Sequence, residues 1–174
     1  TNLTADDSWE DLVLKHAGDA VFAASALRPL LPPQPRILDL GSGAGFIGII
    51  LKIAWPEAEV TLMESVERKY RFLNSAVTRL GLPRLRVLNR RAGTGAALTM
   101  YERGHDAVLE RALAALPQAL SLAWPMLGPR GIFAAAGVLD GARGGVDIPD
   151  DDLDTIRAAV GAYYSRMAEE FDDP

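Results

Sequence analysis

Apolar and polar residues alternate along the chain in two patterns. Short apolar runs predict strands at 36–40, 58–64, 85–88, 106–110 and 132–136. Stretches with apolar residues three or four positions apart predict helices at 8–17, 19–31, 46–55, 65–80, 94–102, 117–127 and 151–171. Because strands alternate with helices, the pattern predicts an α/β fold, with a mainly parallel, doubly wound sheet covered by helices on both faces.

The same pattern predicts one domain in three parts, which suits a chain of 174 residues. Residues 1–35 are expected to form helices that pack on the sheet, and 36–137 to form the α/β core. Residues 138–174 are expected to form an acidic loop and a C-terminal helix. A turn is predicted at 128–131, where two glycines flank Pro-Arg.

A glycine-rich loop follows the first predicted strand. Gly41, Gly43 and Gly45 alternate over five positions, with Ser42 between the first two, and an apolar helix begins at Phe46. A strand, a glycine loop and a helix in this order are typical of nucleotide-type α/β sites. Glycines let backbone N–H groups approach a ligand without a Cβ in the way, and the helix N-terminus adds free donors.

The loop fits two kinds of ligand. Gly41-x-Gly43-x-Gly45 is the pattern of S-adenosylmethionine (SAM) sites, whereas Gly43-x-Gly45-x-x-Gly48 fits the dinucleotide pattern. Asp39, at the strand end, would repel a pyrophosphate but suits the cationic amine and sulfonium of SAM. Glu64, at the end of the second strand, could accept ribose hydroxyls in either case. The residues favour SAM over NAD, and a glycine turn that binds no ligand stays a third alternative.

Composition narrows the possible chemistry. The chain has no cysteine, which excludes disulfides and thiolate metal sites, and no other metal-ligand spacing is present, so no metal is expected. No apolar run approaches the roughly 20 residues that span a bilayer, so no membrane contact is expected. With no recognisable signal peptide, the sequence predicts a cytoplasmic protein.

Charge is unevenly distributed along the chain. Residues 1–135 carry 15 Lys or Arg and 13 Asp or Glu, whereas residues 136–174 carry three and ten. The densest positive charge is a group of four arginines in eight residues. It predicts an RNA-binding patch, with a solvated loop and one ligand-facing arginine as the alternative. The four are Arg84, Arg86, Arg90 and Arg91.

Residues 37–46 resemble the first motif of the bacterial 16S rRNA guanine-N7 methyltransferases, the RsmG or GidB family. Four further segments resemble that family in order and spacing, and the resemblance covers about residues 2–137. It implies a Rossmann-like class I SAM-dependent methyltransferase fold, SAM as cofactor, and rRNA or the small ribosomal subunit as partner. The four segments are Asn2-Leu3-Thr4, Lys15-His16 with Asp19, Arg91-Ala92, and the run from Arg111 to Leu116.

The resemblance also implies roles for individual residues. Gly41 and Phe46 would line the methionine and adenosine ends of SAM, and Glu64 would hold the ribose. The backbone at 92–93 would meet the adenine. The expected cofactor-binding residues are therefore Asp39, Gly41, Ser42, Gly43, Gly45, Phe46, Glu64, Ser65, Ala92, Gly93 and Arg111.

Arg111 would lie near the reacting end of SAM, where it could orient substrate or cofactor; its alternative is an ion pair with Asp39 or Glu110. No residue is expected to act as a general base. The N7 atom of guanine carries a lone pair at neutral pH, so it can attack the sulfonium methyl without first losing a proton.

The chain departs from the family pattern at several positions. The family usually has Pro where Ile47 stands, Glu where Gly93 stands, and Ser or Thr where Glu110 stands. Ala136 replaces a common Lys, which removes a cation from the substrate side, and no final antiparallel strands are predicted. The acidic tail and this lost Lys favour an alternative, a SAM-dependent methyltransferase of a small molecule or protein. A non-catalytic SAM-binding module and an NAD-dependent oxidoreductase are further alternatives.

Overall fold

The computed structural model of this protein describes residues 17–93, 98–111 and 113–136. The predicted helix at 151–171, the loop that precedes it, and all but the last residue of the helix at 8–17 lie outside the described residues. So do Asn2-Leu3-Thr4 and Lys15-His16 of the family resemblance.

The described residues alternate between strands and helices, as the apolar pattern predicts. All five expected strands are present, and the first has the predicted bounds. In chain order the elements are α1 (Gly18–Leu27), β1 (Arg36–Leu40), α2 (Phe46–Ala54), β2 (Glu59–Glu64), α3 (Glu67–Leu80), β3 (Leu85–Asn89), β4 (His105–Arg111), α4 (Leu116–Ala123), a 3-10 turn (Trp124–Met126) and β5 (Leu127–Ala136).

The five strands form one parallel sheet in the order β3-β2-β1-β4-β5. The chain moves outward from β1 through β2 to β3, then returns to the other side of β1 with β4 and β5. The order therefore reverses between β1 and β4, and open α/β sheets bind ligands in the crevice at the carboxyl ends of such strands. The predicted doubly wound sheet is confirmed.

Side chains alternate between the two faces of the sheet, and each face has its own core. Ile37, Leu62 and Leu109 pack with α1, α2 and α3 on one face. Leu38 and Val108 pack with α4 and the 3-10 turn on the other. Because the central strands are buried on both faces, they appear in the sequence as nearly continuous apolar runs.

Three predicted helices are wrong in extent by more than two residues. The helix predicted at 117–127 ends at Ala123 and is followed by the 3-10 turn. The helix predicted at 19–31 ends at Leu27, because Pro29 has no N–H to donate and its ring clashes with the preceding turn. Residues 98–102, which were expected to end a helix, form a turn instead. There the carboxylate of Glu102 accepts both the N–H and the hydroxyl of Thr99, each at 2.7 Å.

Residues 128–131, where a turn is predicted, belong to β5 and form a bulge within it. They run beside the start of β4, where the strand register shifts between His105 and Ala107. A Cβ added to Gly131 would lie 2.7 Å from the carbonyl oxygen of His105. The same Cβ would lie 3.1 Å from the backbone N of Gly128, so the glycine is required both by the close approach of β4 and by the local folding of the chain at the bulge.

Candidate cofactor-binding site

The glycine loop leaves the carboxyl end of β1 and is held against β2 by backbone hydrogen bonds. The N–H groups of Gly41 and Ser42 both donate to the carbonyl oxygen of Met63, at 2.9 and 3.0 Å. The Ser42 hydroxyl donates to the carbonyl oxygen of Asp39 at 2.9 Å. These bonds fix the loop before any ligand is present.

All three glycines of the loop have positive φ, with values of 75°, 59° and 81° for Gly41, Gly43 and Gly45. Gly43 is the most open of them. A Cβ added there would meet only the carbonyl oxygen of Gly41, at 3.9 Å. The middle of the loop therefore faces open space at the crevice, which is the place for a ligand.

Glu64 connects the loop to the turn after β2. One carboxylate oxygen, Oε2, accepts the N–H of Gly43 at 3.0 Å, and the other, Oε1, accepts the N–H of Val66 at 2.7 Å. The sequence predicted a ribose acceptor at this position but not these two backbone partners. Each carboxylate oxygen can accept more than one hydrogen bond, so the backbone bonds leave acceptor capacity for a ribose hydroxyl.

Asp39 lies below the loop rather than in the open crevice. Its side chain is 3% exposed, and Oδ2 accepts the N–H of Gly48 in α2 at 3.1 Å. Burial raises the pKa of the Asp39 carboxyl from 3.8 to about 6, against the smaller lowering effect of the hydrogen bond from Gly48, and the nearby charge of Glu64 also raises it. A cation bound near the loop would favour the ionised form.

The structure brings most of the other expected cofactor residues to the same edge of the sheet. Ser65 follows β2, and Ala92 and Gly93 follow β3. A Cβ on Gly93, where φ is 73°, would lie 2.6 Å from Leu122 of α4. Phe46 begins α2, and its ring is buried in the core on the α1–α3 face.

Arg111 ends β4 and forms an ion pair that the sequence did not predict. Its Nη1 lies 3.5 Å from Oδ2 of Asp19 in the first turn of α1. The contact joins two segments of the family resemblance, the one that includes Asp19 and the one that begins at Arg111. It also brings the start of α1 to the crevice, where Arg111 is expected to lie near the reacting end of SAM.

Glu110, whose importance was not predicted, lies beside Arg111. Its buried carboxylate accepts the N–H of Leu113 at 3.1 Å through Oε2. The side chain of Leu113 lies over Gly41. Local bonds of this kind are characteristic of Ser, Thr, Asn and Asp rather than Glu, so no pattern in the sequence indicated this contact.

The four arginines of the predicted RNA patch do not share one end of the sheet. Arg84 and Arg86 lie at the start of β3, whereas Arg90 and Arg91 follow its carboxyl end, where the glycine loop lies. The four residue steps from Arg86 to Arg90 span about 13 Å of extended chain.

These arginines also have partners within the protein, and Arg84 donates from Nη1 to Oε1 of Gln34 at 3.0 Å. Arg86 pairs with Glu59 and donates from Nε to the hydroxyl of Thr61 at 3.0 Å. Nε of Arg90 lies 2.6 Å from Oε1 of the buried Glu102. Arg86 and Arg90 therefore help to hold the sheet and the 98–104 segment together.

Across 17–93, 98–111 and 113–136, no His, Asp and Glu side chains gather in a group of three or more that could hold a metal ion. No helix within those ranges is both long and apolar enough to cross a bilayer.

Solved structures share the fold. A SAM-dependent O-methyltransferase from Thermotoga maritima matches with a TM-score of 0.54 at 22% identity, over 83% of this chain and 49% of that one. A SAM-dependent methyltransferase from Thiobacillus denitrificans, in complex with S-adenosyl-L-homocysteine (SAH), matches with a TM-score of 0.52 at 18% identity, over 67% of this chain and 46% of that one. The fold is therefore that of the class I SAM-dependent methyltransferases.

Sequence comparison identifies the family. The family model GidB, rRNA small subunit methyltransferase G, matches residues 1–138. Ribosomal RNA small subunit methyltransferase G of Desulfitobacterium hafniense is 37% identical over 135 residues, which are 78% of this chain and 54% of that protein. The Deinococcus radiodurans protein of the same name is 34% identical over 168 residues, which are 97% of this chain and 62% of that protein. The chain belongs to this family, and it spans little more than half the length of such relatives.

Proposed function

We propose that this protein binds SAM and transfers its methyl group to N7 of a guanine in 16S ribosomal RNA. The glycine loop carries the proposal, because it is already folded and faces open space at the point where the strand order reverses. Membership of the family supports the rRNA substrate, as free RNA or within the small ribosomal subunit. An enzyme with this substrate works where ribosomes assemble, in the cytoplasm.

The proposed reaction needs orientation more than proton transfer. The lone pair of guanine N7 forms a bond to the sulfonium methyl carbon while the sulfur–carbon bond breaks, and its electron pair stays on sulfur. The positive charge passes to the guanine ring, and SAH leaves as a neutral thioether. Arg111 cannot accept a proton near neutral pH, so it can only orient or stabilise charge.

The test is methyl transfer from labelled SAM to two substrates, intact small ribosomal subunits and naked 16S rRNA. We expect label in the RNA and chain cleavage at the modified guanine after reduction and aniline treatment, because N7 methylation labilises the base. Binding of SAM without labelling of either RNA would favour the small-molecule or protein methyltransferase, or the non-catalytic module.

Glu64 provides a test of the cofactor site. We expect the protein to bind SAM and SAH, with NAD at least about tenfold weaker because a carboxylate lies beside the loop. Glu64→Gln should weaken SAM binding by about 1–3 kcal/mol, because it replaces one acceptor with a donor and leaves a polar partner unpaired. Calorimetric titration measures both effects. NAD affinity equal to that for SAM would contradict the argument, and unchanged SAM affinity in the variant would remove Glu64 from the site.

The position of the arginines provides a test of the RNA surface. Arg84 and Arg91 are both exposed, but Arg84 precedes β3 and Arg91 follows it, so they lie at opposite ends of the strand and form a matched pair. Arg91→Ala should weaken binding to an rRNA fragment and reduce the slope of log affinity against log salt by about 1, whereas Arg84→Ala should change neither. Filter binding over a salt series measures this. Equal losses in the two variants would mean that the RNA extends to the opposite edge.

A further inference from the structure

The segment after β4 folds back onto the glycine loop. It is held by Glu110, the last residue but one of β4, which lies opposite Leu40 of β1, the residue that precedes the loop. Glu110 is 4% exposed, and its Oε2 accepts the N–H of Leu113 at 3.1 Å. The bond joins residues three positions apart. A buried carboxylate is costly without hydrogen bonds, so this contact offsets part of the cost of burying Glu110.

The effect of this bond is to place Leu113 against the first glycine. For a Cβ added to Gly41, the three nearest atoms all belong to Leu113, with Cδ1 at 2.7 Å. Gly41 therefore lacks a side chain at the point where the Leu113 side chain lies. Leu113 remains 38% exposed, although most leucines of the sheet and of α2 are buried. A half-exposed apolar side chain at the entrance of the crevice is one that a ligand can cover.

We propose that Glu110 is a positioning residue of the cofactor site and that Leu113, which it holds in place, contacts the bound cofactor. This inference rests on the proposed function. An apolar side chain beside the methionine end of SAM would exclude water from the sulfonium, and charges in a water-excluded site interact more strongly with fixed dipoles. The resemblance expects Ser or Thr at position 110, so the Glu110 contact would be a feature of this chain rather than of the family pattern.

Three single variants and one double variant test the proposal. Glu110→Ala removes the acceptor, Glu110→Gln keeps a carbonyl acceptor without the charge, and Leu113→Ala removes the apolar contact. The double variant combines the two alanine changes. Leu116→Ala is the matched control, because Leu116 is an exposed leucine (51%) three residues further on, in α4. Affinities for SAM and SAH are measured by calorimetry, and the melting temperature of each variant is recorded alongside.

We expect Glu110→Ala and Leu113→Ala each to weaken SAM binding about tenfold. The double variant should be no weaker than either alone, because the two residues act through one contact. The SAM affinity of Glu110→Gln should stay within about threefold of the wild-type affinity, and that of Leu116→Ala should equal it. If Glu110 were important only for stability, its variants would lower the melting temperature. SAM affinity would then not be restored in Glu110→Gln, and the losses of the two alanine variants would not overlap in the double variant.

Three results would overturn the proposal. Loss of affinity in Glu110→Gln equal to that in Glu110→Ala would mean that the charge acts directly on the cofactor. Unchanged affinity in Leu113→Ala, which should fold because the side chain is half-exposed, would remove Leu113 from the site. Additive losses in the double variant would mean independent roles. If the wild-type chain binds neither SAM nor SAH, the proposed function fails and this inference with it, whereas unchanged variants of a binding wild type reject this inference alone.

Discussion

Replacing Gly48 by alanine is expected to destabilise the fold by about 2–3 kcal/mol. This is the reverse of the usual result, because alanine normally stabilises the interior of a helix relative to glycine by roughly 1 kcal/mol. A Cβ at position 48 would lie 2.2 Å from Cδ2 of Leu62 and 2.8 Å from Oδ2 of Asp39. Both are buried atoms between α2 and the sheet, so α2 must shift outward and weaken the Gly48–Asp39 hydrogen bond.

Gly18 provides the control. It is also helical, at the start of α1, and an added Cβ would meet nothing within 4 Å. Gly18→Ala should therefore be neutral or stabilising by up to about 1 kcal/mol. Urea denaturation of both variants measures the difference. If Gly48→Ala were as stable as the wild type, the close packing of α2 on Asp39 and Leu62 would be wrong.

Replacing Asp39 by asparagine is expected to stabilise the protein by an amount that depends on pH. The folded-state pKa of Asp39, about 6, is above the ordinary value of 3.8. The folded protein therefore binds the proton more tightly than the unfolded chain does. The resulting stabilisation is complete below pH 3.8 and is lost as pH rises through 6. The asparagine side chain carries no charge and can still accept the Gly48 N–H, so the variant should gain on the order of 3 kcal/mol above about pH 6 and little at about pH 4.

In the wild-type protein, the titration of His105 should offset the pH dependence of stability that comes from Asp39. Burial lowers the pKa of its imidazole from 6.5 to about 4, although the bond between its Nδ1 and the Met126 carbonyl oxygen opposes the shift. Here the folded pKa is below the unfolded one, so stability is present above pH 6.5 and is lost as pH falls towards 4. The two groups have opposite signs over nearly the same range, and their contributions to the pH dependence of stability largely cancel.

The variants separate the two contributions. The stability of Asp39→Asn should fall as the pH is lowered from 6.5 to 4. The stability of His105→Asn should instead fall as the pH is raised from 4 to 6. Unfolding free energies from urea titrations at half-unit intervals measure both, each relative to the wild type at the same pH. A constant difference between Asp39→Asn and the wild type would show that Asp39 has its ordinary pKa. Asp39→Asn should also weaken SAM binding, since the stabilising change removes a negative charge near the cation.

The sequence predicted best where the signal is local. The bounds of β1 agree with the structure because Pro35 precedes it, a glycine loop follows it, and the apolar residues Ile37, Leu38 and Leu40 suit a buried strand. The positions of the glycine loop and of Glu64 follow from the same local rules. The parallel, doubly wound arrangement of the five strands was predictable because strands and helices alternate.

The contacts that the sequence did not predict are those between residues distant along the chain. Arg111 pairs with Asp19, 92 positions earlier, and no local pattern selects that partner over Asp39 or Glu110. The sequence likewise did not show that the turn at 128–131 lies inside β5, because the contact of Gly131 with the His105 carbonyl joins distant positions.

Lys52 is a third example of a residue whose environment the sequence did not indicate. Its ammonium group is buried and donates to the carbonyl oxygens of Pro56 and Ala58, just beyond the end of α2. These acceptors satisfy the donors of a side chain that is usually exposed. A lysine in the last turn of a predicted helix gives no sign of such burial.

The two backbone bonds of Glu64 have a consequence for the kinetics of binding. Because the Gly43 and Val66 N–H groups are already fixed by one side chain, the loop loses little conformational entropy when a cofactor arrives. Association should then be a single bimolecular step, with an observed rate that rises linearly with ligand concentration and shows no plateau from slow loop closure. In Glu64→Ala the loop would have to be ordered during binding, so a plateau is expected to appear in stopped-flow traces of that variant.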